Sequence, residues 1–412
     1  MLKNIKLMLK LKYGTEIIEV PFREGYTDQI NITEPSKVIS TEKFYHQLEE
    51  YFNNKKAEKN IIIVVSDKTR LCGYKKYLPV LIKFLQKRNA KKIDFIIAYG
   101  THKRQSEKEC LDAYGEIYKK FHFIHPEQKE NEKYINFGIT KKGTPVTVRK
   151  EILEYDQVIT FGAISYHYFA GYGGGRKMLF PGLASNEAIY RNHSLFLDTK
   201  NNCLQKNCQP GILTENPLAE DLMEIDAMLP PKISILGIMD SRGTLCELFL
   251  TDTYSEFEAI CKKYDRYFMI SNAKLYDLVI ASSGGYPKDI NFIQAHKSVH
   301  NSADFVKDGG KLIVFTECID GIGSETFLKY LAKGYDKAFK ILKENYEGNG
   351  GTALSMMEKS RRIDIFLVTS LSKEVCDQIG AKKIQYKEVL DLIKNEKGET
   401  CFIESAGLTI RK

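Results

Sequence analysis

The sequence predicts an α/β protein of two domains with mostly parallel sheets, the second domain being Rossmann-like. Three observations predict this. The chain has 412 residues, which is long for a single core of ordinary size. Short β-branched runs that end in polar loops alternate with stretches of helical spacing. That alternation occurs twice, early and late in the chain, and the break between the two falls near residue 270.

The first series begins at IIIVVSD, Ile61 to Asp67, which reads as a buried parallel strand. Tyr77 to Leu85 follows with helical spacing. KKIDFIIAYG, Lys91 to Gly100, is a second strand, Ser106 to Lys119 a helix, and FHFIH, Phe121 to His125, a third strand. Pro230 and Pro231 mark a break. Lys232 to Asp252 then reads as two strands joined by an SRG turn. The second series is LYDLVIASSGG, Leu275 to Gly285, a strand with a glycine loop. A helix from Asn291 to Val306 follows, then strands Gly309 to Glu317 and Ile363 to Ser370. The expected domains are residues 1–270 and 271–412.

Composition excludes several classes. Apolar residues make up 43% and charged residues 28%, which suits a soluble globular protein. Lysines 3, 6, 10 and 12 interrupt every apolar run near the N-terminus, and no stretch reaches 18 apolar residues. The expectation is a cytoplasmic protein with no membrane contact. The nine cysteines are odd in number and mostly far apart, which fits a reducing compartment. The formal net charge is +8, but lysine and glutamate are interleaved as in a solvated face. No nucleic-acid partner is expected, and small anionic substrates suit the mild positive excess.

Ligands of parallel α/β sheets bind at the carboxyl ends of the strands. Two adjacent strand ends are rich in functional groups: Asp67-Lys68-Thr69-Arg70 and Thr101-His102-Lys103-Arg104. Arg70 suits a carboxylate or phosphate, and His102 suits proton transfer near neutral pH. Each loop alone reads more readily as a helix cap, capping being so common; two at adjacent strand ends point to a site. In SYHYFAGYGGGRKMLFPG, four glycines fall between Gly171 and Gly175, with His167 before them and Lys177 after, and His193 sixteen residues further on. The spacing matches neither the dinucleotide fingerprint nor the P-loop. A tight turn between packed elements is the plain alternative. No HxH, HExxH or CxxC pairing accompanies His193, so a metal there needs most of its ligands from elsewhere.

HYFAGYGGGRKMLFPGLAS, with DKTR and GTHKR upstream and QAHK downstream, resembles the nickel-pincer lactate racemase family in motif order and spacing over most of the chain. The resemblance implies a racemase or epimerase that inverts C2 of a 2-hydroxy acid by hydride transfer. Its cofactor is nickel in a pincer nucleotide (pyridinium-3,5-bisthiocarboxylic acid mononucleotide) linked covalently to Lys177. His193 is then the nickel ligand. His102 and His167 form the acid/base pair. Asp67, Lys68, Thr69 and Arg70 contact cofactor or substrate, Arg70 facing the carboxylate. Gln294 and Lys297 bind substrate from the second domain, which puts the site in the interdomain cleft. Cofactor-synthesis enzymes are the implied protein partners. The well-known racemases of the family carry a second-domain tryptophan, whereas this chain has none. The corresponding stretch, within Asn345 to Arg362, is glycine-rich, from which a roomier pocket and a substrate other than lactate are expected. Two rival readings are an NAD(P)-dependent 2-hydroxy-acid dehydrogenase, resting on SSGGYPKD without the fingerprint, and a non-catalytic protein of the same fold.

Overall fold

The computed structural model describes residues 7–22, 27–271 and 273–412. Lys3 and Lys6 lie outside them. The chain forms two compact units, each built from more than one stretch of sequence. One unit comprises Glu34–Leu195 and Lys206–Asp265; the other comprises Met1–Thr33, Phe196–Gln205 and Arg266–Lys412.

The unit beginning at Glu34 holds a six-stranded sheet. Its order is Leu245–Thr251, Lys232–Met239, Gln157–Ala163, Asn60–Ser66, Lys92–Ala98 and Phe123–Ile124. All neighbours are parallel except the first pair, which is joined through the expected turn at Gly243. Asn60–Ser66 is buried along nearly its whole length, as an uninterrupted Ile/Val run requires in a sheet covered on both faces. The helix Tyr74–Lys87 buries Tyr74, Tyr77, Leu78, Leu81 and Leu85, the stripe expected of a 3.6-residue repeat. The helix expected from Ser106 to Lys119 is two pieces, Glu107–Tyr114 and Ile117–Lys120, because Gly115 takes a φ of 65° between them. The pattern does not single out Gln157–Ala163, since Thr160 and Gly162 interrupt its apolar run, yet this strand lies beside Asn60–Ser66 at the centre. From Asn60–Ser66 the chain builds the sheet outward on one side and, from Gln157, on the other. Their shared carboxyl edge is the place where such sheets bind ligands.

The other unit holds a wholly parallel six-stranded sheet. Its order is Lys382–Lys383, Asp364–Val368, Val306–Phe315, Tyr276–Ser282, Thr400–Ile403 and Thr27–Ile30. Thr27–Ile30 pairs with Thr400–Ile403, which is why the N-terminal segment belongs here. The hairpin Leu7–Tyr13 with Glu16–Phe22 adds Leu11 and Val20 to the core of Leu278, Ile280, Ile313 and Phe315. Its turn is clasped from the sheet: Gly14 N–H donates to Asp289 Oδ2 (2.8 Å), and Ser282 Oγ donates to the Lys12 carbonyl (2.5 Å). Among the described residues no helix is long and apolar enough to cross a membrane. All nine cysteines are free, and all but Cys203 are buried.

Candidate functional site

The strand Asn60–Ser66 ends at Asp67, which caps the short 3-10 turn Lys68–Arg70. Asp67 Oδ1 accepts from the Thr69 amide (3.0 Å) and hydroxyl (2.6 Å). Its Oδ2 meets Nδ1 of His102 at 2.5 Å. Burial pushes the Asp67 carboxyl up, but the bond and charge of His102, then Arg70 and Thr69, bring it down to about 2. An ionised carboxylate only accepts, so Nδ1 of His102 carries the proton and Nε2 is left to act. His102 is exposed, as are Lys68, Thr69 and Arg70. Lys68 is engaged by Glu109, and its amide donates to Gln105 Oε1 (2.9 Å).

The strand Gln157–Ala163 leads into a hairpin, Ser165–His167 with Gly171–Gly173. Tyr166 and Tyr172 both donate to Asp265, which holds its base. Gly174, at φ 79° and ψ −177°, has a backbone open only to glycine, and a Cβ there would stand 2.5 Å from the Ala163 carbonyl oxygen. This sharp passage delivers Lys177, inside the 3-10 turn Gly175–Met178, to a position 6% exposed. Burial first, then the charges of Arg70 and Arg176, hold its ammonium well below the ordinary lysine range. The charged form of Lys177 is therefore disfavoured relative to an exposed lysine.

His193 lies in the last turn of the helix Asn186–Ser194, which Ser185 caps. Burial, with Lys177 and Arg70, depresses its imidazole to about 3. The hairpin tip joins these groups. The ring of Phe169, itself 3% exposed, lies 4.5 Å from that of His167 and 5.0 Å from that of His193. Lys177 Nζ is 5.9 Å from its centroid. Asn216 Nδ2 donates to the Phe169 carbonyl (3.0 Å) and anchors the tip. The Ala170 amide donates to Nδ1 of His167 (3.3 Å). One unit thus brings His167, Lys177 and His193 around a single ring, with Arg70 linking them electrostatically to the Asp67–His102 pair. His193 is a neutral imidazole fit to ligate a metal, and Lys177 is a buried amine whose charged form is disfavoured, fit to attach to an electrophilic carbon.

The chain belongs to the lactate racemase family. Its profiles match at residues 27–204 (lactate racemase N-terminal domain) and 271–349 (lactate racemase C-terminal domain). The lactate racemase of Thermoanaerobacterium thermosaccharolyticum is 30% identical over 284 residues, covering 68% of this chain and 65% of that protein. That of Lactiplantibacillus plantarum is 27% identical over 276 residues, covering 66% and 63%. The chain thus matches just under two thirds of the length of these relatives. The fold matches that of the lactate racemase apoprotein from T. thermosaccharolyticum, with TM-score 0.88 and 23% identity over 98% of this chain and 100% of that one. A Thermotoga maritima protein matches with TM-score 0.71 and 16% identity over 92% and 99%.

Other expected members of the racemase-family site sit in the other unit. Gln294 and Lys297 are one turn apart on the helix Phe292–Ala303, and Lys297 Nζ donates to Gln294 Oε1 at 2.8 Å. The expected roominess near Asn345 to Arg362 is corrected. Gly350 to Arg362 is a helix whose glycines are filled from outside. A Cβ at Gly350 would meet Leu342 at 2.3 Å, and one at Gly351 the Tyr346 hydroxyl at 2.3 Å. Close packing, not free space, accounts for small residues there. Phe169, Asn216 and Gln105 are site-shaping residues that the motif reading passes over. Phe169 lies inside the HYFAG motif but looks like core there, and Asn216 and Gln105 carry no local signal.

Proposed function

We propose that this chain is a racemase or epimerase that inverts C2 of a 2-hydroxy acid, using a nickel-pincer nucleotide on Lys177 with His193 as nickel ligand. The observation that carries the reading is the gathering of His167, Lys177 and His193 around Phe169, with Arg70 and the Asp67–His102 pair at the adjoining strand end. The donor set fits the group. Lys177 is a buried amine whose charged form is disfavoured, and His193 is a neutral imidazole. Among the described residues no cluster of three or more His, Cys, Asp or Glu could hold a metal. A single imidazole suits a metal that arrives with its other ligands already attached.

When bound, the nucleotide supplies a reversible hydride acceptor. The remaining work belongs to the protein. Arg70 holds the substrate carboxylate in a forked pair of hydrogen bonds. Nε2 of His102 takes the hydroxyl proton, while Asp67 fixes the tautomer and stabilises the imidazolium that results. Inversion presents the hydroxyl in two orientations, so a second base is needed, and His167 fills that role. Gln294 and Lys297 are assigned to the substrate on their motif, and Lys68 and Thr69 to support of the cofactor loop. Cofactor-synthesis enzymes load the protein, and the cytoplasm supplies them. The substrate is a small 2-hydroxy acid; the relatives' name, lactate racemase, is the reason to include lactate in the panel beside the other acids expected from the missing tryptophan.

The test is co-expression with the cofactor-synthesis enzymes, followed by incubation with single enantiomers of lactate, malate, 2-hydroxyglutarate and phenyllactate and chiral analysis of each. Formation of the opposite enantiomer from at least one acid, without added nicotinamide, is expected. Inversion of none by protein shown to carry the adduct would overturn the reading.

A further inference from the structure

The turn that carries His193 is clamped from both flanks. On one side Arg191 donates to the carbonyls of Gly143 (3.1 Å) and Lys142 (2.5 Å) and to Ser194 Oγ (2.9 Å). On the other, Asn192 is 1% exposed and donates through Nδ2 to Asp221 Oδ2 at 2.8 Å. A carboxylate only accepts, so this bond also fixes which way the amide faces. Asp221, on the helix Pro217–Met228, is 0% exposed. It accepts two further bonds, from Thr140 Oγ1 (2.5 Å) and Thr144 Oγ1 (2.7 Å), which flank the same turn that Arg191 grips. Thr140 is bonded in turn to the Thr144 amide and carbonyl. Three side chains, one from the helix of His193 and two from the turn 140–144, therefore meet on one buried carboxylate, one residue from His193.

Burying a carboxylate is costly, and packing two helices needs only apolar side chains. What a multiply hydrogen-bonded carboxylate adds is a fixed position. We propose that Asp221, acting through Asn192, is a positioning residue that sets where the His193 imidazole stands relative to Lys177. The proposal rests on His193 being the nickel ligand, and it adds residues that no motif marks. Groups of this kind behind a metal ligand typically alter metal affinity or activity about 10- to 100-fold.

The first test needs no cofactor. Protein labelled with ¹³C-histidine has eight ring signals, and His193→Gln identifies the one sought. In Asp221→Asn that signal is expected to shift or broaden, with the others in place. An unmoved His193 signal in the folded variant overturns the proposal. The second test uses protein loaded by the cofactor-synthesis enzymes. Asp221→Asn should keep the adduct mass on Lys177, lose nickel on dialysis about 10- to 100-fold faster, and change the visible absorption of the metal centre. Thr140→Val removes one donor and leaves the Asn192 bond, so it should lower the melting temperature and keep nickel as the wild type does. Equal nickel loss in both variants would mean general loosening and would sink the idea. Wild-type protein that takes up neither adduct nor nickel under the same conditions overturns the role of His193, and with it the purpose of the clamp, whatever the ring signal does.

Discussion

At the scale of single residues, the environment of each group predicts its part. Lys177 is held as a buried amine, so Lys177→Ala should abolish the covalent adduct. Intact-mass measurement of both proteins after co-expression checks this, and equal adduct mass on the two refutes it. His193→Ala should keep the adduct and lose nickel by elemental analysis. Asp67→Asn keeps the shape of the Asp67–His102 pair but no longer dictates the tautomer, so turnover should drop about 10²- to 10⁴-fold with a small change in KM. A full-rate Asp67→Asn enzyme would remove His102 as the base. Seven of these positions, Asp67, Lys68, Thr69, Arg70, His102, His167 and Lys177, are legible in sequence because they sit in short, dense motifs. His193 is legible only beside the family resemblance, since a single histidine carries no spacing. Phe169 escapes because an aromatic residue in a glycine-rich stretch looks like core; its position between two histidines and a lysine is a property of the folded hairpin.

At the scale of elements, the passage from hairpin to 3-10 turn is the strained piece. Gly174→Ala places a side chain in a conformation that costs about 1–3 kcal/mol and against the Ala163 carbonyl. Chemical denaturation should show a loss of at least that size, and adduct formation on Lys177 should fall with it, because the turn delivers the amine. A stable variant with full adduct would show that the turn tolerates another path. The elements themselves follow the periodicity closely at Asn60–Ser66, Lys92–Ala98 and Tyr74–Lys87, where buried Ile, Val and Leu dictate both type and length. Periodicity fails at Gln157–Ala163, whose polar and glycine positions look like loop but pack between two neighbours. It fails again at Gly115, where a permitted left-handed φ divides a helix the apolar pattern runs through.

At the scale of the molecule, buried histidines make stability depend on pH. His296, packed near Phe292 and Phe327, is depressed to about 3 by burial and the charge of Lys359. His300 is held well below the ordinary range by burial, Lys359 and His296, with Ser355 Oγ 3.4 Å from its Nδ1. His193 behaves alike. These groups are neutral when folded and ordinary when unfolded, near 6.5. The unfolded chain therefore binds more protons below that pH. Their contribution is complete above about pH 6.5 and is lost as pH falls toward 3, at up to about 1.4 kcal/mol per pH unit for each histidine. Asp67, lowered to about 2, acts in the same direction at more acid pH, below the usual carboxylate range. Urea denaturation of the cofactor-free protein between pH 7.5 and 5 should show falling stability, and His296→Gln should flatten that fall. A pH-independent profile would contradict the burial of these rings.

By itself the sequence determined that the chain is α/β with parallel sheets in two units, and which loops are dense in functional groups, because strand and helix periods and short motifs are local. Tertiary structure alone decided the rest. Thr27–Ile30 joins the sheet of the C-terminal segment because its backbone partners, Thr400–Ile403, lie some 370 residues away, a pairing no local pattern encodes. The glycines near Gly350 look like open space in sequence and are packed contacts in the fold, since a missing side chain reveals nothing of what fills its place. Asn192 and Thr140 lie far from each other and from Asp221 along the chain, and only folding makes the Asp221 carboxylate their common acceptor beside His193.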